Sequence, residues 1–362
     1  MAGVVLVRAN GDRRPAARPT STAGAGVRVC AVSGSPGPDG ARFRAPVARA
    51  LRSARRELAV STELEAVTGP QEFAAALERF GAGGCDLVIA VGSEAPAATD
   101  AVAGDHPDTH FAVLGASGLS DRPNVLAVRF HPEQAAVLAG YVACAVSTTG
   151  IVGAFGGART PQVEAVLDGF AAGVQRCRKD DVGVGRLLGW QPDTMTGRFA
   201  RSPDDVEGGR TAGQRLVTYG ADVVFAAAGR AGRGAAEVAI GVGDVAMVGF
   251  GTDQGATAHV PDVWLASVQE HASAMVRLLI DLEVGGSFRP GVVEATMANG
   301  GVGLSALRGT AGSVSLAVQY KLGVLRDGLA AGTVPTTPSP PASPAPTATP
   351  APTPGVPTPD AS

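Results

Sequence analysis

The sequence predicts an α/β fold made of two doubly wound, parallel-sheet lobes with a cleft between them. The main observation is an internal repeat, in which GGCDLVIAVGS (83–93) returns as YGADVVFAAAG (219–229). In each copy an Asp precedes an apolar run that breaks at Gly, and a helix-like stretch and another apolar strand follow. Apolar strands that alternate with helices are typical of parallel sheets covered on both faces. With 362 residues, 45% of them hydrophobic, the chain can form two such cores.

Strand and helix patterns alternate through the first half of the chain. The segment VRVCAVSGS (27–35) predicts a strand, and ELEAVT predicts the next one. Between them, DGARFRAPVARALRSARREL has apolar residues near helical spacing and arginines on the opposite face, which predicts an amphipathic helix. A helix at PQEFAAALERFGAGG, the first repeat copy, a helix from Pro96 to Ala103 and the strand HFAVLGAS complete this half.

The second half begins again with the strand GIVGAFGGA and the helix TPQVEAVLDGFAAGVQRC, followed by the second repeat copy and the strand VAMVGFG. We expect the first lobe to hold about residues 27–128 and 252–284, and the second about 129–250 and 286–335. The chain would thus cross between the lobes near Gly251 and again near Gly285. Because ligands of open α/β sheets bind beyond the C-terminal ends of the strands, two facing lobes would form one ligand cleft.

Both termini are predicted to be disordered and to lie outside the two-lobed domain of residues 27–335. Residues 336–362 are rich in Pro and Thr and cannot bury enough apolar area to fold, so a spacer is expected there. Residues 1–26 have a short apolar run followed by arginines, which is the reverse of a secretory signal, and no lipid-attachment cysteine is visible.

Composition argues against several functional classes. The net charge of −3 and the pI near 6.0 predict no nucleic-acid partner. No apolar run reaches the roughly 18 residues of a membrane span. The four cysteines (Cys30, Cys85, Cys144 and Cys177) have no CxxC spacing and lie mostly in apolar runs. They are therefore predicted to be buried small hydrophobic residues rather than metal ligands or disulfides.

Catalytic and metal-binding motifs are not found. His106 and His110 lie four residues apart in HPDTH, but Pro107 and the following strand argue against a helical zinc pair. The glycine-rich loops SGSPG and AAGRAGRG do not match a phosphate-binding loop, and no Ser lies in a nucleophile elbow. We therefore predict no enzymatic activity, no catalytic residue, no metal and no cofactor.

Nine motifs in order carry a resemblance to a known family: VCAVSGSPGPDGARF, CDLVIAVG, HPDTHFAVLGAS, NVLAVRFHPEQAAVLAGYVA, GIVGAFGG, VLDGFAAGV, YGADVVFAAAGRAGRGAAEVA, VGFGTDQ and NGGVGLS. From about Val27 to Pro335 the chain resembles the basic membrane protein family, the PnrA-like substrate-binding proteins of ABC transporters. The resemblance implies a fold like that of type I periplasmic binding proteins and a monomer that binds a nucleoside-like small molecule. It also implies an ABC permease as partner and an extracytoplasmic location at the plasma membrane.

The family's ligand positions are only partly retained. Asp39 and Phe43 match the first loop, D-D-x-S-F-N, but Arg44 stands where that motif has Asn. The second aromatic position is Ala236. In the motif G-V-D-S-D-Q, the first Asp, expected on the ribose hydroxyls, is Gly251, whereas Asp253 remains. The Lys of the family's S-x-x-K stretch corresponds to Glu270. The resemblance therefore implies weaker nucleoside binding, or a different solute.

Residues that follow strands or open helices are predicted to converge in the cleft. The candidate ligand-binding residues are Ser33, Ser35, Asp39, Phe43, Arg44, Gly92, Ser93, Ser117, Gly229, Arg230, Arg233, Gly251, Asp253 and Glu270. Phe43 is expected to offer its ring for stacking, and the alternative is that it packs against its own helix. Arg44, Arg230 and Arg233 would suit an anionic solute if they face inward, and the alternative is a solvated rim.

Two functions remain open at this point. The first is the solute-binding component of an ABC importer, which the motif order favours. The second is a non-exported ligand sensor or interaction protein with the same fold and an altered cleft, located in the cytoplasm, which the lack of a visible export signal favours.

Overall fold

The computed structural model describes residues 22–34, 38–115, 121–257, 261–309 and 314–339. Disorder is predicted for residues 1–26 and 336–362, and of these segments residues 1–21 and 340–362 lie outside the described residues. Residues 22–26 and 336–339 are described and correct the prediction at its inner ends, because the amide of Gly24 donates to the Leu58 carbonyl oxygen and Ser339 bonds to Gln175. In chain order, the first part consists of β1 (Arg28–Ser33), α1 (Pro38–Leu58), β2 (Ser61–Ala66), α2 (Pro70–Ala82), β3 (Leu87–Val91), α3 (Ala95–Val102), β4 (His110–Leu114) and β5 (Val125–Phe130).

The middle of the chain forms a second α/β unit. Its elements are α4 (Pro132–Val146), β6 (Ile151–Gly156), α5 (Pro161–Lys179), β7 (Arg186–Leu188), β8 (Trp190–Gln191), β9 (Thr196–Gly197), α6 (Val206–Thr218), β10 (Val223–Ala227), α7 (Gly232–Val242), β11 (Ala246–Gly251), α8 (Gln254–Thr257) and β12 (Trp264–Glu270). The last elements are α9 (Ala272–Val284), β13 (Gly291–Ala295), β14 (Val302–Leu304) and α10 (Leu316–Ala330).

Side-chain caps mark several helix starts in the second unit. The hydroxyl of Thr160 accepts a hydrogen bond from the amide of Val163 at the start of α5, and Asp205 does the same for Gly208 at the start of α6. Ser315 caps α10 in the same way. Each cap satisfies one of the amides that a first helical turn leaves without a partner, so these helices begin where the sequence places a Thr, Asp or Ser.

Twelve of the described strands form two six-stranded sheets with equivalent orders, and β8 and β9 form a separate antiparallel pair. The first sheet runs β2-β1-β3-β4-β5-β13 and the second β7-β6-β10-β11-β12-β14. Within the two six-stranded sheets all neighbours are parallel except β14, which pairs antiparallel with β12. The two copies of the sequence repeat, β3 and β10, occupy equivalent positions in separate sheets. The prediction of two doubly wound, parallel-sheet lobes is therefore confirmed.

The aspartate that both copies of the sequence repeat share has the same structural role in each lobe. The carboxylate of Asp86 accepts a hydrogen bond from the amide of Arg28 at 2.7 Å and so joins the beginnings of β3 and β1. The carboxylate of Asp222 accepts bonds from the amides of Thr148 and Thr149 and from the hydroxyl of Ser147, just before β6. Both aspartates therefore stabilise the N-terminal edge of a sheet, far from the edge where a ligand is expected.

Helices cover both faces of each sheet. In the first lobe α1 and α9 pack on one face and α2 and α3 on the other. In the second lobe α4, α5 and α10 cover one face, and α6 and α7 the other. The central strands, such as β1, β3, β10 and β11, are almost entirely buried and therefore apolar, whereas the edge strands β2, β7 and β13 are partly exposed.

The lobe boundaries differ from the predicted ones. The chain does not cross back at Gly251, because β12 adds to the second sheet as a parallel neighbour of β11. It crosses at His271 instead, and α9 then packs on the first lobe. Nor does it cross at Gly285, because β13 extends the first sheet beside β5. The third crossing is the segment 296–301. In each case one more strand joins the edge of a sheet, β12 in the second lobe and β13 in the first. The glycines in the sequence do not indicate this strand pairing.

The cysteines also differ from the prediction. All four are buried, but they form the disulfides Cys30–Cys85 and Cys144–Cys177. Cys30 lies on β1 and Cys85 precedes its neighbour β3, so the order of strands in the sheet brings them together. The second pair joins α4 to α5. Spacing along the chain could not indicate either pairing, because both depend on which elements pack side by side.

Candidate functional site

The C-terminal edges of the two sheets face a common boundary. The chain passes directly from the end of β5 into α4 of the second lobe, and from the end of β12 into α9 of the first lobe. Strands β1, β3 and β4 end at the same edge as β5, and strands β6, β10 and β11 end at the same edge as β12, because these strands are parallel. A cleft between these edges is the candidate functional site.

Three crossing segments connect the lobes, and they contact one another. The amide of His131 donates to the carbonyl oxygen of Ala295 at 3.0 Å, and the amide of His271 donates to that of Gly301 at 2.8 Å. The side chain of Asn299 accepts from the amides of Thr296 and Gly301, which holds the third crossing in a compact turn. The two histidines thus occupy equivalent positions on either side of this turn.

His131 is held between two carboxylates. Its Nδ1 lies 2.7 Å from Glu133 Oε1 and its Nε2 lies 2.8 Å from Glu294 Oε2. Arg129 pairs with the other oxygen of Glu294 at 3.0 Å. The hydrogen bond to Glu133 is the main cause that raises the pKa of His131 to about 9, and partial burial opposes it. At neutral pH the imidazolium therefore donates from both nitrogens and ties the first crossing to β13.

The first lobe presents small and acidic groups at its C-terminal edge. Ser33 is fully buried at the end of β1, and its hydroxyl has no hydrogen-bond partner among the described residues. Gly92, with φ of 136°, follows β3. A carboxylate oxygen of Glu94 lies 2.7 Å from where a Cβ on Gly34 would be and 3.0 Å from one on Gly92. Ser93 donates to the same carboxylate at 3.2 Å. Glu94 was not among the predicted residues, although it directly follows the first repeat copy.

Phe43 does not offer a free ring. Its side chain is 2% exposed and stacks on Phe130, with ring centroids 5.5 Å apart and planes 18° apart. A Cβ on Gly115 would lie 3.4 Å from its edge, so the ring lies beneath the ends of β4 and β5. In this structure Phe43 is a core residue of the first lobe, which corrects the expectation of an available stacking surface. The apolar spacing of α1 already allowed this alternative.

The three predicted arginines are exposed. Arg44 lies on the outer side of α1, and Arg233 on α7. Arg230 follows Gly229, whose φ is 56°, and faces Asp204 at 3.8 Å with more than half of its side chain exposed. This exposure is what the solvated-rim alternative expects, and an inward orientation toward an anionic solute stays a prediction.

Asp253 forms an ion pair with Arg308. Its two carboxylate oxygens accept from the two terminal nitrogens of Arg308 at 2.7 and 2.8 Å, and one of them also accepts from the amide of Ala256. This hydrogen bond raises the pKa of Arg308. Gly251, with φ of 94°, is buried two residues earlier at the end of β11. Sequence reasoning did not indicate Arg308, because only the fold brings it to this loop.

Glu270 is a buried carboxylate at the second crossing. It is the last residue of β12, its side chain is 5% exposed, and Oε1 accepts from Gln162 Nε2 at 3.4 Å. Gln162 lies in the first turn of α5, so this contact joins two elements of the second lobe at the cleft edge.

An aromatic residue that the sequence did not indicate lies at the edge of the second lobe. Phe199 is half-buried and pairs through its backbone with Gly156, where β6 ends. A Cβ on Gly156 would lie 2.6 Å from the Phe199 ring, so only glycine fits there. Trp190 packs edge-on against the ring at 6.1 Å and donates to Asp168 at 2.8 Å. Burial raises the pKa of Asp168, and the bond from Trp190 opposes this.

Some predicted residues cannot be placed. Ser35 and Ser117 lie outside the described residues, and so does the side chain of Asp39.

The histidines of HPDTH point to different partners, since His106 faces Glu78 at 3.0 Å whereas His110 binds Glu283 at 2.7 Å and stacks on Phe288. Within the described part of the chain, no cluster of three or more metal-ligating side chains is found. None of the helices in that part is both long and apolar enough to cross a bilayer.

Comparison with known proteins identifies the family. The profile described as "ABC transporter substrate-binding protein PnrA-like" matches residues 37–308. Basic membrane protein B of Borreliella burgdorferi is 30% identical over 195 residues, which cover 53% of this chain and 53% of that protein. The chain thus spans about half the length of this curated relative.

Solved structures share the fold. An ABC transporter solute-binding protein from Conexibacter woesei has a TM-score of 0.68 and 23% identity, covering 84% of this chain and 97% of that chain. A transcriptional activator of the comK gene from Bacillus halodurans has a TM-score of 0.70 and 18% identity, covering 85% and 99%. The family resemblance drawn from the ordered motifs is confirmed, and the chain belongs to the PnrA-like family of ABC transporter substrate-binding proteins.

Proposed function

We propose that this protein binds a small polar solute between its lobes and delivers it to the permease of an ABC importer at the outer side of the plasma membrane. The observation that carries the proposal is the common boundary of two sheet edges, connected by three crossing segments that bond to one another. Family membership supports the same role. Such an architecture lets a ligand contact both lobes at once, so that binding shifts the lobes toward a closed state.

The proposed ligand is a solute with several hydrogen-bond donors. Ser33 and Glu94 lie at the edge of the first lobe, and Glu270 lies at the second crossing. These groups accept hydrogen bonds, whereas the predicted arginines are exposed. Because Phe43 is stacked on Phe130 and Asp253 is paired with Arg308, a purine nucleoside would lose contacts that the family resemblance implies. We therefore expect guanosine and inosine to bind weakly, as a lost stacking partner alone costs about 1–3 kcal/mol.

Calorimetry with a panel of nucleosides, polyols, amino sugars and nucleoside monophosphates tests this proposal. We expect a donor-rich neutral or cationic member to bind, and the monophosphates not to bind. Glu94→Gln should weaken that binding about tenfold or more, since a hydrogen bond to a charged group contributes about 1.5–3 kcal/mol. Glu237→Gln, on the exposed outer side of α7, is the matched control and should leave it unchanged. Equal affinity of both variants would contradict a ligand site at this edge.

The two disulfides support export. Each lobe holds one buried disulfide, and such bonds persist in oxidising compartments and are rare in the cytosol of mesophiles. Fractionation of cells, followed by thiol alkylation in denaturant without reductant, tests this point. We expect the protein in the extracytoplasmic or membrane fraction with all four cysteines protected from alkylation.

The alternative function is a non-exported ligand sensor that uses the same fold. It is favoured by the similar structure of a protein described as a transcriptional activator, although identity of 18% shows a shared fold only. The fractionation experiment separates the two functions. Recovery of the protein from the cytoplasm with four reactive thiols would favour the sensor and would leave ligand binding in the cleft untouched.

A further inference from the structure

Where its side chains are described, from residue 43 onward, the outer face of α1 carries arginines and no acidic residue. Arg44, Arg49, Arg52, Arg55 and Arg56 are all exposed. At 3.6 residues per turn these positions fall within about 140° of the helix circumference and span roughly 18 Å of its length. The opposite face packs into the core of the first lobe through Phe43, Val47, Leu51 and Ala54. We call the five exposed residues the arginine face of α1.

The arginine face is electrostatically uncompensated. Among the described residues, none forms an ion pair with any of these five side chains, whereas arginines elsewhere in the lobe are paired, such as Arg28 with Glu63 and Arg79 with Glu65. The nearest acid on the helix, Glu57, accepts from Ser53 at 2.8 Å and pairs with Arg277 of α9. Arg277 in turn pairs with Asp281 at 2.9 Å. The arginine face is therefore a concentrated basic surface on a protein whose net charge is −3.

The chemistry of this face fits phosphate groups better than a protein partner. Its remaining side chains are small, such as Ala45 and Ala48, and the face has none of the aromatic anchors that stabilise the centres of protein interfaces. The apolar side of α1 is already buried, so the helix cannot insert into a bilayer. Guanidinium groups bind phosphate oxygens in pairs, and each basic residue adds to the attraction toward an anionic leaflet.

We infer that the arginine face of α1 is a docking surface for the phosphate headgroups of an anionic lipid bilayer. Contact through this face would hold the first lobe against the membrane, with no insertion of the chain. It is a property of the outer surface of the lobe, so it does not depend on which solute the cleft binds. Because the attraction is electrostatic, it should weaken as salt is raised.

Sedimentation of the full chain with lipid vesicles tests the inference. We expect binding to vesicles in which about a third of the phosphatidylcholine is replaced by phosphatidylglycerol, and none to pure phosphatidylcholine. Raising NaCl from about 50 to about 300 mM should release the protein, since the electrostatic screening length falls from about 14 Å to about 6 Å. The triple variant Arg49→Gln, Arg52→Gln, Arg56→Gln should bind about tenfold less or weaker still.

A matched control has the same change in net charge. The variant Arg178→Gln, Arg186→Gln, Arg215→Gln removes three exposed arginines from the second lobe and should bind vesicles like the unaltered protein. Both triple variants should keep the circular dichroism melting transition, because all six residues are exposed. Equal losses in the two variants, or no binding of the unaltered protein to anionic vesicles, would overturn the inference. Retention on a polyglutamate resin without vesicle binding would instead assign the face to an acidic protein.

Discussion

His131 links the first crossing to the first lobe through its charge. Both ring nitrogens lie within 2.8 Å of carboxylate oxygens, one from Glu133 on α4 and one from Glu294 on β13, while Arg129 binds the other oxygen of Glu294. Only the protonated ring can donate to both carboxylates. Glu133 belongs to a helix of the second lobe and Glu294 to a strand of the first. The charged ring of His131 therefore joins one residue of each lobe at the first crossing.

The charge of His131 should make stability depend on pH. Its pKa is raised from 6.5 to about 9 on folding, so the stabilisation is fully present below pH 6.5 and is lost as pH rises through 9. After allowance for solvent screening, we expect the free energy of unfolding to fall by about 1–2 kcal/mol across this window. Urea unfolding at a series of pH values measures it.

Two variants identify the group responsible. His131→Gln should remove most of this pH dependence. His271→Gln alters the equivalent histidine, whose ring contacts the Gly300 carbonyl and Gln269 rather than carboxylates, and should retain it. The same pH dependence in all three proteins would show that other groups cause it.

Replacement of Phe43 is expected to lower the stability of the protein, because its ring is buried and stacked on Phe130. Removing a fully packed ring leaves a cavity, so Phe43→Ala should lower the free energy of unfolding by about 3–5 kcal/mol. Phe43→Leu keeps most of the volume and should cost about 1.5 kcal/mol or less. Denaturant unfolding gives both values. An alanine variant as stable as the unaltered protein would mean that the ring is free at the cleft, as the stacking hypothesis requires.

Among the elements, helices α4 and α5 pack with their backbones in close contact. A Cβ on Gly140 would lie 2.0 Å from the carbonyl oxygen of Phe170, and one on Gly173 would lie 2.0 Å from that of Val137. These glycines therefore let the two backbones touch. The disulfide Cys144–Cys177 joins the same pair across a sequence separation of 33 residues.

Loss of this disulfide should destabilise the protein measurably. A cross-link of this loop length restricts the unfolded chain by about 3–4 kcal/mol in the chain-entropy account. Cys144→Ala/Cys177→Ala should show a loss of that size in guanidinium unfolding under oxidising conditions. With reductant present, the variant and the unaltered protein should become nearly equal. A gap that persists in reductant would assign the effect to packing rather than to the cross-link.

At the scale of the whole molecule, the two terminal segments should be dispensable for folding. The Pro/Thr-rich composition of residues 340–362 and the polar composition of residues 1–21 predict rapid cleavage there. Limited proteolysis followed by mass spectrometry should yield a core near residues 22–339. This core should melt at the temperature of the full chain, and a shift of more than a few degrees would show that one terminus supports the fold.

The fold class follows from sequence patterns alone, because the central strands of a buried parallel sheet are apolar and alternate with helices. The repeat at β3 and β10 and the order of nine motifs were enough to indicate two equivalent lobes and the family. The spacing of Phe43 along α1 also indicated a buried helix face. These features are local, so pattern and order reveal them without knowledge of the packing.

Other details depend on which elements lie side by side, and they are visible only in the folded protein. The crossings at His131, at His271 and at 296–301 follow from β12 joining the second sheet and β13 the first. The same adjacency pairs the cysteines, brings Arg308 to Asp253 and places Phe199 over Gly156. The two disulfides join cysteines that are 55 and 33 residues apart in the chain. No local sequence pattern encodes contacts over such distances. Long-range packing, rather than residue type, therefore sets the composition of the cleft.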